Sequence, residues 1–84
     1  MEFHEKLHEI LRLERKRKNL KQKNLAAIVG ISPGFYWRIE NGEVTDIRMS
    51  VLKGICEALG LEFKAFIGRA GADDHIDNDL VRIF

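Results

Sequence analysis

A chain of 84 residues with a net charge of +1 and 45% hydrophobic composition is large enough for one small domain, and too apolar to be disordered. Its single cysteine, Cys56, excludes an internal disulfide and fits a reducing cytoplasm. No apolar run approaches the ~20 residues of a membrane span, and the charged start MEFHEKLHEI lacks a signal-peptide core, so neither membrane insertion nor secretion is expected.

The first helix is expected over residues 3–18, where Phe3, Leu7, Ile10, Leu11 and Glu14 follow the i, i+3, i+4 pattern. Leu13 falls off that stripe. The same segment contains His4-Glu5-Lys6-Leu7-His8, which matches the H-E-x-x-H zinc motif. The match begins four residues from the start of the chain, and nothing fixes His75 as a third ligand. Neither a metal site nor catalysis is expected, and no cofactor is implied.

A second helix is expected over residues 22–29, with Leu25, Ala26 and Val29 on one face. Gly30 ends it, because a helix C-terminus often needs the left-handed conformation that glycine adopts cheaply. Ile31 plugs the corner. Ser32 is a good N-cap, and Pro33 sits at the first helical position, where proline is tolerated. The third helix, residues 33–40, turns Tyr36, Ile39 and Glu40 inward and leaves Pro33, Gly34, Trp37, Arg38 and Asn41 outward. Asn41-Gly42 stops it. Small Ala26 lets the two helices cross closely, and the turn contains a glycine, as a helix-turn-helix requires.

Residues 43–48 read as a loop, with Asp46 as the expected cap of a fourth helix. That helix runs to Leu59 with Met49, Leu52, Ile55, Cys56 and Leu59 on its buried stripe, and Gly60 caps it. Cys56 therefore reads as core. Leu61, Phe63, Phe66 and Ile67 form a short fifth helix. The remaining residues, 70–84, carry Asp73, Asp74, Asp77 and Asp79 against one arginine, Arg82. The aspartates lack the glycine and closing glutamate of a calcium loop. Leu80, Val81, Ile83 and Phe84 are apolar, so this end is expected to add a strand or wedge to a dimer, or to dock on a partner.

Charge is unevenly spread. Residues 12–23 hold seven basic side chains against Glu14 alone. A basic segment leading into a helix-turn-helix is an electrostatic footprint for phosphate.

The string L-x-Q-x-x-L-A-x-x-x-G-I-S-P-x-x-x-x-R-I-E-N-G closely resembles the phage repressor and Cro (XRE-type) helix-turn-helix family. It is carried by Leu20, Gln22, Leu25, Ala26, Gly30, Ile31, Ser32, Pro33, Arg38, Ile39, Glu40, Asn41 and Gly42. The resemblance implies an all-α, five-helix, lambda-repressor-like DNA-binding domain over residues 1–69, followed by an acidic tail, 70–84, with an apolar end. It implies that Arg15 pairs with Glu40 and that the third helix is the recognition helix, lying in a major groove. Pro33, Gly34, Trp37 and Arg38 then face the bases. Arg38 is suited either to guanine or to a phosphate. Phosphate contacts fall to Arg12, Lys16, Lys21, Gln22, Lys23, Asn41, Thr45 and Arg48. The region of Leu61, Phe63, Phe66 and Ile67 often forms a twofold dimer interface in relatives.

Two residues depart from the family pattern. Trp37 stands where a small polar residue is usual, and either packs on thymine methyls or sugars, anchors a protein partner, or folds back onto the domain. Ile28 is apolar where relatives are usually polar. The function expected is a cytoplasmic transcriptional regulator, a repressor by preference, that binds double-stranded DNA at an operator as a homodimer. The rival expectation is a protein-interaction module or antitoxin, with Phe35 and Trp37, or the tail, on a protein partner.

Overall fold

In a computed structural model of the protein, five helices form the body of the fold and a small antiparallel sheet is laid against them. The structure describes residues 6–44, 46–71, 76–77 and 79–82, the side chains of 76, 77 and 82 excepted. The helices are α1 (Leu7–Arg17), α2 (Gln22–Val29), α3 (Pro33–Glu40), α4 (Met49–Leu59) and α5 (Phe63–Arg69). The strands are β1 (Asp46–Arg48), β2 (Ile76–Asp77) and β3 (Leu80–Arg82), in the order β1-β3-β2. Among the described residues no helix is long and apolar enough to cross a membrane.

The turns are set by local chemistry. Asn19 adopts φ +55° just after α1, while the Leu20 amide returns to the Arg15 carbonyl. Asparagine is one of the few side chains that visits the left-handed region at modest cost. Gly30, at φ +88°, is the left-handed C-cap of α2, and its amide donates to the Ala26 carbonyl. Ser32 Oγ accepts from the Phe35 amide at 3.1 Å, with Pro33 in the first turn of α3. Glu62 caps α5 by accepting from the amides of Lys64 and Ala65, a cap that the sequence reading missed.

The core is one cluster. Leu7, Ile10 and Leu11 of α1 meet Leu25 and Ala26 of α2 and Tyr36 and Ile39 of α3. Leu52, Ile55, Cys56 and Leu59 of α4 and Phe66 and Ile67 of α5 complete it. Cys56 is a free, buried thiol, and burial, with Glu62 nearby, pushes its pKa up to about 12. It is a core residue with no thiolate character at neutral pH. Lys53 Nζ lies 5.3 Å from the centre of the Phe63 ring, a cation–π contact between α4 and α5.

The expected cap of α4 is corrected. Asp46 belongs to β1, and Arg48 is the residue that precedes the helix, without a side-chain cap. The Met49 amide, which has no partner within its own helix, instead donates to the Asp79 carbonyl at 2.6 Å. The tail supplies that acceptor because β3 pairs antiparallel with β1, placing Ile47 opposite Val81. Both side chains are fully buried and join the core. Residues 80–82 of the apolar end form a strand, paired within the chain with β1, while Ile83 and Phe84 lie outside the described residues. Residues 79–82 are thus packed on the helical body, in the same sheet as the segment after α3.

Candidate nucleic-acid interface

The outer face of α3 is held in place from beneath by Glu40. This carboxylate is 0% exposed. Arg15 reaches it from α1 as a fork: Nε donates to Oε2 at 2.6 Å and Nη2 to Oε1 at 3.1 Å. The third arm of the guanidinium, Nη1, donates to the Leu20 carbonyl at 2.7 Å. Gln22, at the start of α2, donates from Nε2 to Glu40 Oε1 at 3.1 Å. Arg12 donates to the Glu40 main-chain carbonyl at 3.1 Å. One buried side chain thus ties α1, the α1–α2 turn, α2 and α3 together. Burial alone would push the Glu40 carboxyl up, but the hydrogen bonds from its neighbours, Arg15 first, hold it below the usual glutamate value. The same contact raises the pKa of Arg15. Burial, and then Glu40, raises the Tyr36 hydroxyl far above its ordinary value. Tyr36 Oη sits in this cluster without a well-formed hydrogen bond.

Two residues expected on phosphates already hold hydrogen bonds to Glu40 within the chain. Gln22 is half-buried on Glu40, and Arg12 is turned toward the end of α3. The competing acceptor lies 18 residues from Gln22 and 28 from Arg12, so no local pattern announces it. Among the other basic residues of this segment, Arg17 pairs with Glu14 at 3.1 Å. Lys16, Lys21 and Lys23 are exposed.

On α3, Pro33, Gly34, Trp37 and Arg38 face solvent, while Tyr36, Ile39 and Glu40 are buried. Trp37 is 47% exposed, so about half of its surface stays open to solvent. Phe35 is half-buried against the core. Arg38 Nε lies 3.9 Å from Glu43. Asn41 is exposed, but its amide donates to the Trp37 carbonyl at 2.8 Å and closes the helix. Gly42 follows at φ +73°, and a Cβ there would come within 3.2–3.3 Å of the His8 ring. His8, the last residue of the zinc-like motif, covers this turn. His4 and Glu5 lie outside the described residues, as does Thr45. Arg48 is exposed, 3.9 Å from Asp79.

Comparison with known proteins agrees with this geometry. A helix-turn-helix family model matches residues 11–66, which is more than half of the chain. The chain belongs to the helix-turn-helix family of DNA-binding transcriptional regulators. A crystal structure of the clp gene regulator ClgR from Corynebacterium glutamicum superimposes with a TM-score of 0.70 at 28% identity, covering 77% of this chain and 68% of ClgR. A second ClgR structure gives 0.67 at 25% identity, covering 84% and 91%. No curated protein sequence matches significantly.

For a helix-turn-helix protein, two further placements matter. Phe66 and Ile67, expected at a dimer interface, are instead buried in the monomer core, because α5 packs its apolar side onto α4. Leu61 and Phe63 are half-buried and rest on the same core. Leu13 and Ile28, at 58% and 64% exposure, are the most exposed large apolar side chains among the described residues. No group of His, Cys, Asp and Glu among the described residues could hold a metal ion.

Proposed function

We propose that this helix-turn-helix protein binds an operator in duplex DNA as a homodimer and represses transcription from it. In this reading α3 lies in the major groove with Trp37 and Arg38 toward the bases. Lys16, Lys21, Lys23 and Arg48 meet phosphates, with Thr45 in the adjoining loop. Asn41 and the end of Gln22 left over from Glu40 add polar contacts at the two edges. The observation that carries the reading is the division of α3 into a buried face anchored on Glu40 and a side that stays exposed among the described residues.

Dimerisation follows from the small number of hydrogen-bonding groups on that side. One short helix that offers Pro33, Gly34, Trp37 and Arg38 supplies little specificity, and two copies a helical turn apart double it. With Phe66 and Ile67 inside the monomer, Leu61 and Phe63 are the two of the four apolar residues expected at that interface that keep surface for a partner copy. No catalytic step belongs to this role.

Selection from a random duplex library at physiological salt tests the proposal. An enriched palindrome with half-sites ~34 Å apart is the expected result. No enrichment would overturn it. The exposed indole favours one rival, a protein-binding role for α3. Binding through several phosphates weakens steeply with salt, whereas binding through an aromatic contact does not.

A further inference from the structure

We infer that this protein reads its DNA site chiefly through apolar contact between the Trp37 indole and thymine 5-methyl groups, so that its half-sites carry thymines opposite α3. The inference rests on the proposed DNA-binding role and names what that face recognises. It follows from counting the groups able to read a base edge. Pro33 and Gly34, at the end of the helix that enters the groove first, carry no hydrogen-bonding side chain. Ser32 Oγ accepts from the Phe35 amide, which leaves its short O–H as a single donor at the start of the helix. The Asn41 amide donates to the Trp37 carbonyl. Arg38, the one cation on this face, lies 3.9 Å from the Glu43 carboxylate, which competes with guanine for it. Against these few polar groups stands one large, half-exposed, rigid ring, Trp37.

In the major groove the base feature that matches such a surface is the thymine methyl, since the other base edges present polar atoms that an indole face leaves unsatisfied. The indole N–H is a single donor at the ring's edge, and it offers a rival, hydrogen-bonded mode of reading. Gly34, one turn before Trp37, leaves open space where a side chain would stand: a Cβ placed there meets nothing within 4 Å.

The test uses the duplex enriched by selection, resynthesised with each thymine replaced in turn by deoxyuridine, which removes the methyl and nothing else. Affinity is measured by fluorescence anisotropy at constant salt. The expected result is a loss of about fourfold for each methyl in contact, which corresponds to the ~0.8 kcal/mol of a buried methylene. Trp37→Phe, which keeps an apolar ring and lacks the N–H, retains the preference for thymine over deoxyuridine. Trp37→Ala abolishes it. Circular dichroism confirms that both variants fold. If deoxyuridine has no effect at any position, or if Trp37→Phe loses as much affinity as Trp37→Ala, the inference is overturned while DNA binding stands. Failure to enrich any duplex overturns the DNA-binding role, and this inference with it.

Discussion

Replacing Arg15 with alanine removes three hydrogen bonds at once, two to Glu40 and one to the Leu20 carbonyl. The carboxylate it leaves behind is fully buried and keeps one side-chain donor of good geometry, Gln22. Breaking a buried pair from one side costs about 3–5 kcal/mol, because a charge stays in a low-dielectric site without its partner. A domain of this size has roughly 4–13 kcal/mol of total stability, so the loss is about a quarter of it or more. Urea denaturation followed by circular dichroism measures the loss. With a slope of about 1–2 kcal/mol per molar, the midpoint should fall by at least ~1.5 M. Replacing both partners with apolar residues, as in Arg15→Met with Glu40→Leu, should restore much of the stability, since no charge is then stranded. A loss below ~1 kcal/mol for Arg15→Ala is the value of an exposed pair. It would refute the claim that Glu40 organises the four segments around α3.

Acid should reveal the same group. The folded pKa of Glu40 lies below its unfolded value, so its contribution is complete above pH ~4.3 and is lost as pH falls through the folded pKa. The stability gap between the wild type and Glu40→Gln, measured by urea titration, should therefore narrow below that pH; a constant gap would contradict the shift. Gly42→Ala should cost about 1–2 kcal/mol for the left-handed backbone, with a further loss from contact with His8. Thermal melts in a His8→Ala background should show the second part relieved and the first retained. Val81→Ala, which empties a fully buried position in β3, should cost about 1.5 kcal/mol or more, whereas Leu80→Ala at the half-exposed neighbour should cost little. Equal and small effects would mean that the tail strand is not docked.

The helix-turn-helix was legible because its signals are local. Gly30, Ser32 and Pro33 act on backbone groups within four residues, and α2 and α3 begin and end where those residues place them. The pairing of Arg15 with Glu40 was reached only through family resemblance, since 25 residues separate the two. The engagement of Gln22 and Arg12 by the same glutamate was missed for the same reason. Asp46 looked like a helix cap because an aspartate before an apolar run usually is one. Strand pairing with residues 80–82 won instead, and three-residue strands carry too little alternation to be seen in a sequence. Phe66 and Ile67 show the limit of pattern reading from the other side. An apolar stripe on a short last helix suits a dimer contact and a monomer core equally, and only packing decides between them.

The central claim is that the solvent-facing side of α3 and the lysines beside it meet nucleic acid. The dependence of duplex affinity on salt tests this most directly. Four cations in each of two copies, Lys16, Lys21, Lys23 and Arg48, displace enough counterions for log K to fall with log salt at a slope of about −7. Removing one lysine should make that slope shallower by about 1 per copy. A slope near zero, or one that the lysine substitutions leave unchanged, would contradict the account.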